Sequence, residues 1–247
     1  MNRIKDYDQL AFDIDRWLKD YYYFHAIKAF VVGVSGGIDS AVVSTLCAKT
    51  ELPTYVLTMP LHSKEENTKL SDAHAKALVD KYPNVKVVNI DLTETYDKFM
   101  LNVDNTFTGN ELANANTKSR LRMVSLYQVA GSVGGIVVGT GNKVEDYGIG
   151  FYTKYGDGGV DIAPIADLYK TEVRELGWHL GVMNEIIDAK PTDGLWDDGR
   201  SDEDQIGATY AELEEAMENG TGKAVDILYK FNRQNRHKME PIPTFKL

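Results

Sequence analysis

The stretch GVSGGIDS, Gly33 to Ser40, follows directly on the apolar run Ala29-Phe30-Val31-Val32. A strand ending in Gly33, a Ser35-Gly36-Gly37 turn and a helix starting near Ile38 place bare backbone N–H groups and a helix N-terminus where an anion can sit. Glycine at 36 and 37 permits positive φ and close approach to the backbone. The spelling departs from two common phosphate loops. The Walker pattern G-x-x-x-x-G-K-[ST] needs a lysine after its last glycine, and the dinucleotide pattern G-x-G-x-x-G spaces its glycines differently. Here there is an aspartate and no lysine. Asp39 makes sense as a ligand to Mg²⁺, which takes one or two carboxylates and completes its octahedron with water and phosphate oxygens. Ser35 and Ser40 offer hydroxyl hydrogen bonds to the same phosphates. Helix capping alone would explain a Ser and an Asp, but not the strand, the SGG turn and the D-S pair together.

Around this loop, short β-branched runs alternate with helical periodicity. Residues 27–34, 54–59, 85–90 and 135–139 read as strands apolar enough to be buried on both faces. Residues 7–24, 38–50, 64–81 and 111–132 carry apolar residues at three- and four-residue spacing and read as helices. This alternation predicts an α/β fold, a doubly wound parallel sheet with helices on both faces and a ligand beyond the carboxyl ends of its strands. Past residue 150 the pattern changes to a glycine-rich loop, a helix at 170–180, a polar loop and helices at 203–217 and 222–236, which predicts a helical C-terminal layer. With no repeat and no low-complexity linker, 1–247 reads as a single domain, with a core at about 25–170 and the added layer at about 171–247.

Composition excludes several classes. At 247 residues, 43% of them hydrophobic, the chain can bury a core. A net charge of −10 argues against nonspecific nucleic-acid binding, which needs clustered Lys and Arg. Its apolar runs are too short to span a membrane, and the opening MNRIKDYDQL lacks the pattern of a signal peptide, so the expected compartment is the cytoplasm. The single cysteine, Cys47, falls in a helical apolar pattern and reads as core, in keeping with a reducing compartment.

SGGIDS resembles the signature loop of the N-type ATP pyrophosphatases, which have the adenine nucleotide alpha hydrolase-like fold and split ATP between its α and β phosphates. The loop alone leaves the substrate open. The blocks Asn116-Thr117-Lys118-Ser119-Arg120-Leu121-Arg122-Met123, Gly139-Thr140-Gly141-Asn142-Lys143-Val144-Glu145 and Tyr152-Thr153-Lys154-Tyr155-Gly156-Asp157-Gly158-Gly159-Val160-Asp161 are similar, in order, to those of NAD synthetases. Pro164 through Lys170-Thr171, Pro191-Thr192 and His237-Lys238 extend the likeness. The resemblance implies ATP-dependent amidation of nicotinic acid adenine dinucleotide (deamido-NAD) by ammonia, giving NAD, AMP and pyrophosphate through an acyl adenylate. It also implies a homodimer. No room is left for a glutaminase domain, so free ammonia is the expected nitrogen donor.

The resemblance assigns Gly33, Val34, Ser35, Gly36, Gly37, Ile38, Asp39, Ser40, Thr140, Lys170 and Thr192 to ATP, and Arg120, Lys154, Asp161, His237 and Lys238 to deamido-NAD. Glu145 is the second carboxylate a magnesium site would want beside Asp39. Lys170 begins a helix, where the macrodipole disfavours a cation, which is explained if it reaches the phosphates and stabilises charge during transfer. Asp157 is the candidate to take a proton from ammonium, so that Asp39, Lys170 and Asp157 form the expected catalytic set. Arg122 reads as structural, and Tyr127 either stacks on a base or packs in the core. The loops at 150–159 and 193–204 are the expected lids. Arg200 and the stretch His62-Ser63-Lys64-Glu65-Glu66 depart from the commonest form of the resembling segments.

Overall fold

The computed structural model describes residues 3–192 and 201–246. Strands β1 (Phe30–Val34), β2 (Thr54–Thr58), β3 (Val85–Asn89) and β4 (Ile136–Val137) form one sheet in the order β3-β2-β1-β4 with every pair parallel. Helices α1 (Tyr7–Phe24), α2 (Ile38–Lys49), α3 (Glu65–Lys81), α4 (Thr93–Leu101) and α5 (Glu111–Val133) surround it. Then come α6 (Lys170–Leu180), α7 (Asn184–Ile187), α8 (Asp202–Ile206), α9 (Tyr210–Asn219) and α10 (Val225–Met239).

The two-residue period of β1 explains the double winding. Phe30 and Val32 point into a core with Leu18 of α1, Val42 and Leu46 of α2, and Val173 and Leu176 of α6. Val31 points the other way, into a core with Leu57, Ala130 of α5 and Val137. A third cluster joins Val34 and Val56 to Ala75 and Leu78 of α3. Phe30, Val31 and Val32 are fully buried, each contributing on the order of 1.5–3 kcal/mol by removal from water. Sequence order reverses at β1, which has β2 on one side and β4 on the other. A crevice therefore opens at its carboxyl end, where the SGG turn lies.

Several boundaries differ from expectation. The strand expected at 135–139 keeps ladder geometry only at Ile136–Val137, beyond which Val138 bridges Ile162. The helix expected at 203–217 is two. Gly207 (φ 82°) ends α8 in the left-handed conformation, and Thr209 starts α9 by accepting from Glu212 N–H, while the Glu212 carboxylate accepts from Thr209 N–H. The unexpected α4 follows Asp91, whose carboxylate accepts from Thr93 N–H. The helix expected at 222–236 runs Val225–Met239. Helix α6 packs on α2, so the added layer has its own core only from α8 onward, with Ile206, Leu213, Ala216 and Leu228 around Val144 and Ile149. Cys47 is fully buried in α2, as its apolar pattern implies. Among the described residues no helix is long and apolar enough to cross a membrane.

Candidate active site

The turn after β1 is closed by its own hydroxyls. Ser40 Oγ donates to Gly37 O (2.9 Å) and accepts from Ser35 N–H (3.2 Å), and Ser35 Oγ accepts from Gly37 N–H (3.3 Å). Ser35 and Ser40 thus shape the loop. Gly36 has φ 88°, a conformation that requires glycine there. Gly37 caps α2 without a side chain, so the N–H groups of its first turn, including those of Ile38 and Asp39, have no intrahelical partner.

Asp39, in that first turn, meets residues from three distant segments. Its carboxylate accepts from Lys170 Nζ (2.5 Å) and from Asn142 Nδ2 (3.3 Å). The same ammonium donates to Glu145 Oε1 (2.9 Å), which also accepts from Tyr210 O–H (2.7 Å). Lys170 Nζ sits 4.9 Å from the Tyr210 ring centroid. Glu145 comes from a single π-helical turn, Val144–Ile149, a wide turn often found at functional sites. Asn142 is fully buried and its Oδ1 accepts from the Val144 and Glu145 N–H groups, fixing the start of that turn. Thr140 lies between β4 and Asn142, partly exposed at the crevice rim.

The electrostatics follow from two buried carboxylates sharing one ammonium. Burial opposes the charge on Lys170, but Asp39 and Glu145 outweigh it and hold the lysine protonated well above its ordinary range. Burial also opposes charge on Glu145, yet Lys170 and the Tyr210 hydroxyl draw its pKa down. Asp39 is pushed up by burial and by Glu145, against the pull of Lys170. The two carboxylates converge on one cation, which is the arrangement a divalent ion needs from its protein ligands, so Asp39 and Glu145 fit the expected metal role. In this structure the Lys170 ammonium is the cation between them, which the helix-start position alone did not reveal.

Asp146, next along the π-helical turn, accepts no side-chain hydrogen bond among the described residues, and burial followed by Glu145, Asp157 and Asp39 raises it to about 8. Its carboxylate lies 2.2–2.4 Å from where a Cβ on Gly141 would stand, so a side chain there would displace Asp146.

The second group of expected residues gathers around the loop at 150–159. Arg120 Nε donates to Lys154 O (3.3 Å), Lys154 Nζ to His237 O (2.9 Å) and Lys238 Nζ to Tyr152 O (2.7 Å), so three cations, with His237 beside them, gather around this loop. Asp157 Oδ1 accepts from Ser119 Oγ (2.8 Å) and Thr153 N–H (2.9 Å), and burial raises its pKa. Asp161 accepts from Val137 N–H (2.7 Å) and from Tyr127 O–H (3.1 Å), which ties it to the rim of β4. Tyr127 is partly exposed, held at its hydroxyl by Asp161 rather than packed in the core. Arg122 is structural, as expected, donating to Met59 O (3.1 Å). Thr192 is exposed beside Pro191, and Arg200 and most of the second expected lid, 193–200, lie outside the described residues. His62, in the other departing stretch, bonds Asp97 at 2.7 Å on the surface. Tyr210, Asn142, Asp146 and Ser119 complete the site without having been singled out. Asn142 and Ser119 lie inside the quoted blocks, whereas nothing in the spelling around Tyr210 marks it.

The family model described as NAD synthase matches residues 10–242. The chain belongs to that family. It is 37% identical over 245 residues to the NH(3)-dependent NAD(+) synthetase of Finegoldia magna, covering 98% of this chain and 97% of the relative. Among solved structures, the NMN synthetase of Francisella tularensis superposes with a TM-score of 0.89 at 32% identity, over 99% of this chain and 100% of that one. The NH3-dependent NAD synthetase of Campylobacter jejuni shares the fold, with a TM-score of 0.78 at 24% identity over 98% and 100% of the two chains. The doubly wound α/β reading of the sequence holds.

Proposed function

We propose that the chain is a ligase that amidates deamido-NAD with ammonia at the expense of ATP, releasing NAD, AMP and pyrophosphate. The observation that carries this reading is the cluster of Asp39, Glu145 and Lys170 beside the SGG turn, in a chain of the NAD synthase family. The N–H groups of the turn and of the first turn of α2 receive the ATP phosphates. Asp39 and Glu145 would hold Mg²⁺, which would supply positive charge to offset that of the phosphates. Thr140 and Thr192 are assigned to the nucleotide by the family resemblance.

The acid substrate lies along Arg120, Lys154, His237 and Lys238; the charges of Arg120, Lys154 and Lys238 suit its phosphates and its carboxylate. Its carboxylate oxygen attacks the α-phosphorus, the α–β bridging bond breaks, and pyrophosphate leaves with its charge met by the loop amides and Lys170. Ammonium gives a proton to Asp157, the free ammonia attacks the adenylated carbonyl, and the carbonyl–oxygen bond to AMP breaks as the new nitrogen loses a second proton to solvent. The cleft excludes water from the acyl adenylate. The reading includes one functional unit over 1–247, a cytoplasmic setting and a homodimer that covers the exposed Leu112 and Val124 of α5. Light scattering on the purified protein tests the dimer.

The test of function is to mix the protein with MgATP, deamido-NAD and ammonium and to identify the products. NAD, AMP and pyrophosphate support the reading, and ADP with inorganic phosphate overturns it. A second reading keeps the chemistry and changes the acid to nicotinic acid mononucleotide. It is favoured by the full-length likeness to the Francisella tularensis NMN synthetase. The ratio of kcat/KM for the two acids separates the readings.

A further inference from the structure

Behind Lys170 lies a cavity of about 350 Å³, within the size range of small-ligand sites. Its walls include Lys170, Arg174, Lys190, Pro191, Glu203 and Tyr210. Lys170 and Arg174 are one helical turn apart on α6 and share a face. The Lys170 ammonium is taken by Asp39 and Glu145, but Arg174 has no such partner. Its Nε is buried without a hydrogen bond, its only hydrogen bond among the described residues runs 3.4 Å from a terminal nitrogen to Ala189 O, and it forms no ion pair with a described carboxylate. A guanidinium carries five donors, and a buried donor left unmade is costly. Lys190 adds a second, exposed cation at the edge. Of the acids at the rim, Glu203 is engaged by Tyr210 N–H (2.9 Å), and Asp188 stands exposed.

We propose that this cavity is a pyrophosphate exit site, in which Arg174 and Lys190 take the anion as it leaves the far side of Lys170. The inference rests on the proposed reaction, which makes pyrophosphate at the Asp39–Glu145–Lys170 cluster. Lys170 lines both compartments, so the product passes from one cation to the next two without entering the acid-substrate side of the crevice. The planar fork of Arg174 suits bidentate capture of phosphate oxygens.

The experiment measures inorganic pyrophosphate in two ways. Calorimetry gives its affinity for the resting protein, and product inhibition gives its inhibition constant during turnover. Arg174→Gln and Lys190→Ala are each compared with the parent, Lys190 being exposed and its removal harmless to folding. The expected result is pyrophosphate binding weakened roughly tenfold or more in each variant, as for loss of one charge-assisted hydrogen bond, with the KM for ATP changed less than twofold. Unchanged pyrophosphate binding in both variants overturns the proposal. So does an equal rise in the KM for ATP, which would place both cations in the triphosphate site. Calorimetry needs no turnover, so an inactive parent protein that still binds pyrophosphate through Arg174 and Lys190 would count against the proposed reaction and leave the anion site standing.

Discussion

Replacing Lys170 by methionine keeps the unbranched stem and deletes the ammonium that Asp39 and Glu145 share. The side chains of the three residues are 6%, 15% and 16% exposed, so solvent replaces little of the lost charge. Removing one member of a buried ion cluster typically costs about 3–5 kcal/mol, because the remaining charge is stranded. For a chain of this length 1 kcal/mol moves Tm by roughly 2–4 °C, so a fall of about 6 °C or more is expected. The pH dependence carries a sign. Without Lys170 at least one of the two carboxyls has a folded pKa raised above its unfolded value near 4. A group of that kind stabilises fully below its unfolded pKa and loses that contribution as pH rises through the folded pKa. The variant should therefore lose ground to the parent between pH 5 and pH 8, and added magnesium should recover part of the loss. Urea unfolding followed by circular dichroism at several pH values measures this. A variant within 1 kcal/mol of the parent at every pH would refute the view that Lys170 neutralises a dehydrated carboxylate pair.

Three other perturbations test different parts of the structure. Tyr210→Phe removes the hydroxyl that donates to Glu145 at 2.7 Å; a loss of about 1.5–3 kcal/mol in stability, with kcat lowered more than KM, is expected from denaturant unfolding and steady-state rates. His74 is 3% exposed, bonds Ser44 Oγ at 2.9 Å and is lowered by burial to about 4. Its folded pKa lies below its unfolded value, so it stabilises above about pH 6.5 and costs about 3 kcal/mol as pH falls to 4; His74→Gln should flatten the stability profile in that window, and an unchanged slope would contradict the assignment. Gly156→Ala places a Cβ 2.2 Å from Ser119 Oγ, the donor to Asp157. Activity should fall at least tenfold, and binding of the acid substrate, read by calorimetry, should weaken with it.

The sheet and its wrapping helices were legible because the buried strands are short β-branched runs and α1, α3 and α5 carry helical spacing. The turn after β1 was legible because turn glycines and a helix start are local features. The π-helical turn at Val144–Ile149 was not, since six residues hold too few turns for a period to show. Tyr210 was hidden for another reason: it opens an amphipathic helix and spells like any buried aromatic, and its O–H finds Glu145 across 65 residues of chain. The break at Gly207 was passed over because apolar spacing continues on both sides of it. The family resemblance assigns Lys170 to the phosphates, but its grip on both carboxylates depends on tertiary contacts 131 and 25 residues away.

The lone sulfhydryl of the chain, at Cys47, lies buried in the last turn of the helix whose first turn carries the proposed anion cradle, and burial also raises its pKa. A maleimide at neutral pH can reach it only when α2 lifts from the sheet, so the rate of labelling counts those excursions directly. Occupancy of the anion cradle at the other end of the same helix should slow that clock, which gives the protein a built-in gauge of ligand binding that needs no engineered probe.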